Sequence, residues 1–196
     1  MMQEFVEQIN KNMKEALKGI HTTIPGTIVS FDPSTGLATV SPSMKFKKPD
    51  GTTIDYPHIT GVPVVIPQAM GQGATIAFPI KTGDGCLIVV AEQSIDFWLY
   101  GQETDTDLDF DLSNSICIPG LFPYANPVLA DACNSNSVIV DVRGTRLSVH
   151  SGMVEIIGNL SVRGSITAGG DVTGSGVSLA AHTHTGDSGG STSAPN

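Results

Sequence analysis

The sequence predicts an all-β protein: an N-terminal helix plus a small barrel, then an intertwined trimeric β-helix that closes in a pointed apex. Three observations predict it. Short apolar runs punctuated by Pro and Gly turns fill the first half, a glycine falls every six residues beyond Ser151, and the residues between those glycines alternate apolar and polar. Alternation of period two is the pattern of an extended chain with one apolar and one polar face.

Composition sets the outer bounds. The 196 residues include 22 glycines, concentrated towards the C-terminus, with 6% aromatic and 15% charged residues. That is too little aromatic mass for one large core and too little charge for a disordered tail, so the chain reads as ordered and partly fibrous. The net charge of -9 leaves no basic stripe to displace counterions from a phosphate backbone. Nucleic acid is therefore not an expected partner. Cys86, Cys117 and Cys133 are odd in number and form no CxxC pair, which reads as three small core hydrophobes and not as a disulfide framework or zinc ribbon. No run approaches the ~18 apolar residues of a membrane-spanning helix. The start, MMQEFVEQINKN, lacks a basic-then-apolar leader, so synthesis and assembly are expected in the cytoplasm.

Residues 1–21 form the first segment. Phe5, Val6, Ile9, Met13, Ala16 and Leu17 recur at helical spacing and Gly19 ends the run, predicting an amphipathic helix that packs on its own domain or docks on a partner. Residues 22–115 form the barrel. TIPGTIVSF, LATVSPSMKF, TIDYPHI, VPVVIP, ATIAFPI and CLIVVAE are separated by Pro49-Asp50-Gly51 and Gly83-Asp84-Gly85 turns. CLIVVAE followed by SIDFWLY has the length of a barrel-closing strand pair, and the OB-fold is the usual small Greek-key barrel of that strand number. Glu103, Asp105, Asp107, Asp109 and Asp111 then alternate with Thr104, Thr106, Leu108 and Phe110. A strand there lines its carboxylates along one face, as a solvated edge that repels other edges or as a calcium-binding ladder. Residues 116–136, apolar and Pro-rich without period, read as an ordered linker.

Residues 137–176 form the β-helical shaft. Gly152, Gly158, Gly164, Gly170 and Gly176 punctuate it, and the even positions between them run Val154, Ile156, Leu160, Val162, Ile166, Ala168, Val172, Gly174. Hexapeptide periodicity belongs to β-helices. A fully buried Val, Leu or Ile contributes about 1.5–3 kcal/mol, too little for one chain's stripe to offset the entropy of ordering its own backbone. Other copies must complete the core, and three chains about one axis is the smallest closed arrangement, a homotrimer. The inward residues shrink from Val154 and Ile156 to Val172 and Gly174, so the shaft tapers.

The even parity runs on through Ser178 and Ala180 to His182 and His184, in residues 177–196. Three chains then converge six imidazoles on one axis, an octahedral set that suits Fe(II) better than tetrahedral zinc. The expected cofactor is one iron (Fe2+) per trimer, held by six His nitrogens.

Val177-Ser178-Leu179, His182-Thr183-His184, Gly186, Gly190, Thr192 and Pro195 resemble the tip of contractile-tail central spikes, the membrane-puncturing baseplate proteins of phages and phage-like bacteriocins. DLSNSICIPGLFPYANP, residues 111–127, resembles the junction after the OB-fold domain in the spikes that lack a lysozyme domain. The resemblance implies an OB-fold, a triple-stranded β-helix and an apex holding iron through the HxH histidines of three chains. It further implies baseplate hub and tail tube partners, a bacterial outer membrane as target, and a place at the baseplate tip of the virion. Two rivals are a receptor-binding fibre tip and a two-histidine, one-carboxylate enzyme with Asp187 as third ligand. The fibre reading lacks an aromatic terminal lobe. The enzyme reading lacks a pocket wall, and no nucleophile elbow, P-loop or HExxH is present.

Overall fold

The computed structural model describes residues 2–101, 108–186 and 188–193. They divide into two compact units, Met1–Ala125 and Asn126–Asn196. The fold is mostly strands with few helices.

The first unit opens with α1 (Met2–Lys18), followed by β1 (Thr23–Asp32), β2 (Leu37–Pro42), the small hairpin β3 (Lys45–Lys47) and β4 (Thr53–Asp55), and β5 (Ile59–Pro63). A second small hairpin, β6 (Gln68–Ala69) and β7 (Ala74–Thr75), precedes β8 (Gly85–Val90), α2 (Asp96–Tyr100) and β9 (Ser115–Pro119). The main sheet has the order β5-β2-β1-β8-β9, every neighbouring pair antiparallel. Its two edges meet. Val64, just past β5, makes a parallel bridge to Cys117 of β9, and the Val65 amide donates to the Cys117 carbonyl at 2.8 Å. Irregular registers at Ile28–Ser30 of β1 and Ala38–Val40 of β2 are bulges that sharpen the twist where the sheet must curl.

Strand alternation fills this curled sheet. In β2 every second residue, Ala38, Val40 and Pro42, is buried, and β1 does the same with Ile24, Gly26 and Ile28. The core joins Ile28, Ala38, Val40, Ile59, Val62, Cys86, Ile88 and Cys117. Two glycines are sterically required. A Cβ on Gly26 would stand 2.5 Å from Ile88 Cδ1, and one on Gly85 would strike the Leu121 carbonyl oxygen. Two turn aspartates share one device: Asp32 Oδ1 accepts from the amide and hydroxyl of Ser34 at 2.9 and 2.6 Å, and Asp50 Oδ1 from those of Thr52 at 2.9 and 2.6 Å.

Several expectations change at this level. SIDFWLY supplies no strand: Asp96–Tyr100 is a helical turn closed by Gly101 in the left-handed conformation (φ 68°), because an αL glycine stops a helix more cheaply than any other residue. The strand that neighbours β8 is instead Ser115–Pro119, which lies inside the sheet although 116–136 reads from sequence as a linker. That segment also holds α3 (Pro127–Ser135), capped by Asn126, whose Oδ1 accepts from the Val128 amide at 3.0 Å. The acidic ladder falls partly outside the described residues, which omit Glu103, Asp105 and Asp107. Of its end, Asp109 and Phe110 form a turn, and Asp111 accepts from Ser113 to begin a short 3-10 helix.

The second unit contains α3, the meander β10 (Val138–Val142), β11 (Thr145–His150) and β12 (Met153–Ile157), and the short hairpin β13 (Thr173–Gly174) with β14 (Val177–Ser178). Within the single chain, 138–157 is thus an antiparallel sheet, and no strand is assigned from 158 to 172. Hexapeptide periodicity does not reveal the first of these, because a meander and a β-helix share the same two-residue alternation.

Candidate functional site

Two features of the second unit carry chemistry: an uncovered apolar face and a pair of histidines. The registers Val138–Val149, Val140–Leu147, Leu147–Ile156 and Val149–Val154 put Val138, Val140, Val142, Leu147, Val149, Val154 and Ile156 on one face of the meander. All seven are exposed, from 38% for Leu147 to 69% for Val138. The opposite face is mixed, carrying Asp141, Arg146, Ser148 and Glu155 together with Ile139, Met153 and Ile157. There Arg146 Nε meets Asp141 Oδ2 at 3.1 Å and Nη1 meets Asp131 Oδ2 of α3 at 3.0 Å. Hydrogen bonds to Asp141 and then Asp131 push the guanidinium pKa further up, so this charge is permanent. Ile157, out of parity in the sequence, lies on this second face, paired with Arg146.

The stripe continues uncovered beyond the sheet. Leu160, Val162, Ile166 and Val172 are all exposed, with Ile166 at 71%. The alternation that buries Val40 inside the first unit has nothing to bury against here.

Near the C-terminus, backbone bonds fold the chain back on itself. The Leu179 amide donates to the Val172 carbonyl, the Thr192 amide to the His184 carbonyl, and Thr185 bridges Ser191. Asp171 is held below the usual carboxylate range by its bond from the Ser178 side chain and then by the Ala180 amide. His182 and His184 sit edge to face with ring centroids 5.0 Å apart. His182 Nδ1 lies 2.9 Å from the Ser178 carbonyl oxygen and 3.1 Å from that of Leu179. A carbonyl only accepts, so Nδ1 carries the proton and the lone pair stands on Nε2. That is how metal-binding imidazoles are oriented by a second partner. The His184 amide is fixed by Thr192 Oγ1 at 2.9 Å. One chain brings together two imidazoles here, and no group of three His, Cys, Asp or Glu residues capable of holding a metal occurs among the described residues. Asp187, the third ligand of the enzyme reading, and Pro195 of the tip pattern lie outside those residues.

Of the three cysteines, Cys86 and Cys117 are fully buried in the first unit. Their contact, and then burial, push the Cys117 thiol up, so it stays protonated. Cys133 on α3 is exposed, contrary to its reading as a core residue; α3 buries none of its side chains. Sequence reasoning also missed α2 as a surface element. Phe97, Trp98 and Tyr100 are exposed at 64, 71 and 57%. The signal for it was the helix-stopping Gly101. No helix is long and apolar enough to cross a membrane among the described residues.

Residues 24–120 match the family model described as Phage protein Gp138 N-terminal domain. No curated protein matches the chain. The matched span begins in β1 and ends just past β9, which is the five-stranded sheet from first strand to last. The match supports a virion-associated phage structural protein of the tail or baseplate type.

Proposed function

We propose that the chain is the central spike of a contractile tail, a homotrimer that pierces the host outer membrane when the sheath contracts. The single observation that carries the reading is the seven-residue aliphatic face of the meander, open to solvent in one chain, while the opposite face is the more polar one and carries the Arg146 contact to Asp131 of α3. A soluble protein does not leave such a face bare, and copies of the same chain about a threefold axis cover it with the same face. The β5-β2-β1-β8-β9 order with β5 parallel to β9 is the strand order of the OB-fold, in keeping with the Gp138 match.

The work is mechanical. A trimer of narrowing shafts transmits axial force to a small area, and three chain ends are prone to fray there. His182 and His184 of each chain would hold an iron at the apex; the metal supplies coordination bonds that tie the three ends together. The protein's own part is to fix the His182 ring through the Ser178 carbonyl and to hold the closing loop through Thr192. The first unit would dock on the baseplate hub and tail tube. No catalytic step is required.

Electron microscopy of intact tails with an antibody to this chain tests the assignment. Label at the axial tip of the baseplate, one trimer per particle, is the expected image. Label on lateral fibres would sink the spike reading in favour of a receptor-binding tip.

A further inference from the structure

The helix α1 holds an apolar face that its own unit does not cover. Phe5, Val6, Ile9, Met13 and Leu17 are 43–66% exposed, and every α1 residue with a described side chain is exposed. A 17-residue helix standing alone is marginal in water, so something outside the single chain must stabilise it.

The pattern of the face identifies the occupant. Met2, Val6, Ile9, Met13 and Ala16 are spaced four, three, four, three, the alternation of a and d positions in a heptad. In that register Val6 and Met13 are a residues, and Met2, Ile9 and Ala16 are d residues. The flanking e and g positions are Gln3, Phe5, Asn10, Asn12 and Leu17, none of them charged. Glu4, Glu7, Lys11, Lys14 and Glu15 all fall at b, c or f, on the side away from the seam. In a parallel, in-register bundle the a and d layers meet their own copies, where a charge would face its like, and each g position faces an e position of the next helix. Charge is absent from those positions. A face widened by Phe5 at g and Leu17 at e exceeds the two-stranded seam and suits three helices. A membrane surface is a poorer occupant, because three glutamates against three lysines leave the helix no net positive charge to attract anionic lipid.

We propose that α1 forms a parallel three-helix bundle with the α1 helices of two further copies of this chain. The inference rests on the trimeric reading above. Trimerisation of the shaft turns helix association into a tethered event at high effective concentration, which is how so short a seam forms at all.

Disulfide trapping in the full-length chain tests it, in a Cys133→Ser background that removes the exposed thiol. In a parallel bundle a d residue meets its own copies. Ile9→Cys should therefore oxidise to linked dimers holding up to two of every three chains, and Met13→Cys, one layer along, should do the same. Lys11→Cys, at f, should stay unlinked. Light scattering of each variant reports assembly separately. A trimer in which neither Ile9→Cys nor Met13→Cys links would overturn the bundle while leaving the trimer intact. Equal linking at positions 9 and 11 would overturn it as well, by showing unspecific collision. A monomer would remove the trimeric reading and the bundle with it.

Discussion

The first and second units use the same kinds of residue in the same alternation and reach opposite outcomes. In β2, Ala38 and Val40 alternate with half-exposed neighbours and are 3% and 0% exposed; in β10, Val138, Val140 and Val142 alternate just as regularly and are 55–69% exposed. What separates them is closure. The first sheet curls until Val64 meets Cys117 and encloses its own apolar face, whereas the meander is three strands wide and its edges do not meet, with α3 tied to its other face through Arg146 and Asp131. Alternation therefore specifies that a face must be covered and does not say by what. A barrel covers itself, and the open meander is the face for which we propose other chains.

The largest expected effect breaks the comparison on the shaft side. Ile166→Asp places three carboxylates on the proposed axis, and an unpaired buried charge costs several kcal/mol per group, so assembly should be lost. Thr167→Asp points outward and should leave a trimer by light scattering. Equal behaviour of the two variants would refute the inward parity. The barrel side answers next. Ile88 is fully buried, so Ile88→Ala should lower the unfolding free energy of the barrel by about 2–5 kcal/mol. Chemical denaturation followed by circular dichroism measures it, and a loss under 1 kcal/mol would mean that this core is not closed.

A smaller effect is expected at the tip. His182→Ala with His184→Ala removes both imidazoles and leaves the apolar stripe untouched, so the trimer should persist without metal. Elemental analysis of wild-type protein, purified without a histidine tag or chelator, should find iron near one per trimer and lose it on acidification, since protons compete for the ring nitrogens. Absence of any transition metal would end the coordination hypothesis and spare the spike. The smallest effect belongs to the turns. The Ser34, Thr52 and Ser113 side-chain bonds, followed by their amides, hold the Asp32, Asp50 and Asp111 carboxyls below their ordinary value in the fold. A depressed folded pKa stabilises the fold above the unfolded value of about 3.9 and stops doing so as pH falls through the folded one. Barrel melting temperature should hold from neutrality to about pH 4 and drop below it, with Asp111→Asn flattening part of the drop.

Most of the barrel is visible in the sequence because its strands are local: TIPGTIVSF, LATVSPSMKF and CLIVVAE map onto β1, β2 with β3, and β8, whereas VPVVIP and ATIAFPI contribute only Val62–Pro63 and Ala74–Thr75 to strands. The last strand was harder. Ser115–Pro119 pairs with β8 from 25 residues away, across α2, and its ICIP run carries no alternation long enough to separate it from a Pro-rich linker. α2 itself is five residues long, too short for a helical period to show. At the tip, the HxH pair and its parity are plain in the sequence, but the lone pair left on His182 Nε2 depends on the Ser178 carbonyl, a backbone contact that spacing does not encode.

The central claim is that the aliphatic face of the meander is covered by other copies of the chain. Solution mass tests it most directly. Light scattering of the full-length protein at micromolar concentration should give three times 20.4 kDa. A mass of one chain would contradict the account, because Val138, Val140 and Ile156 would then stand in water with no partner to cover them.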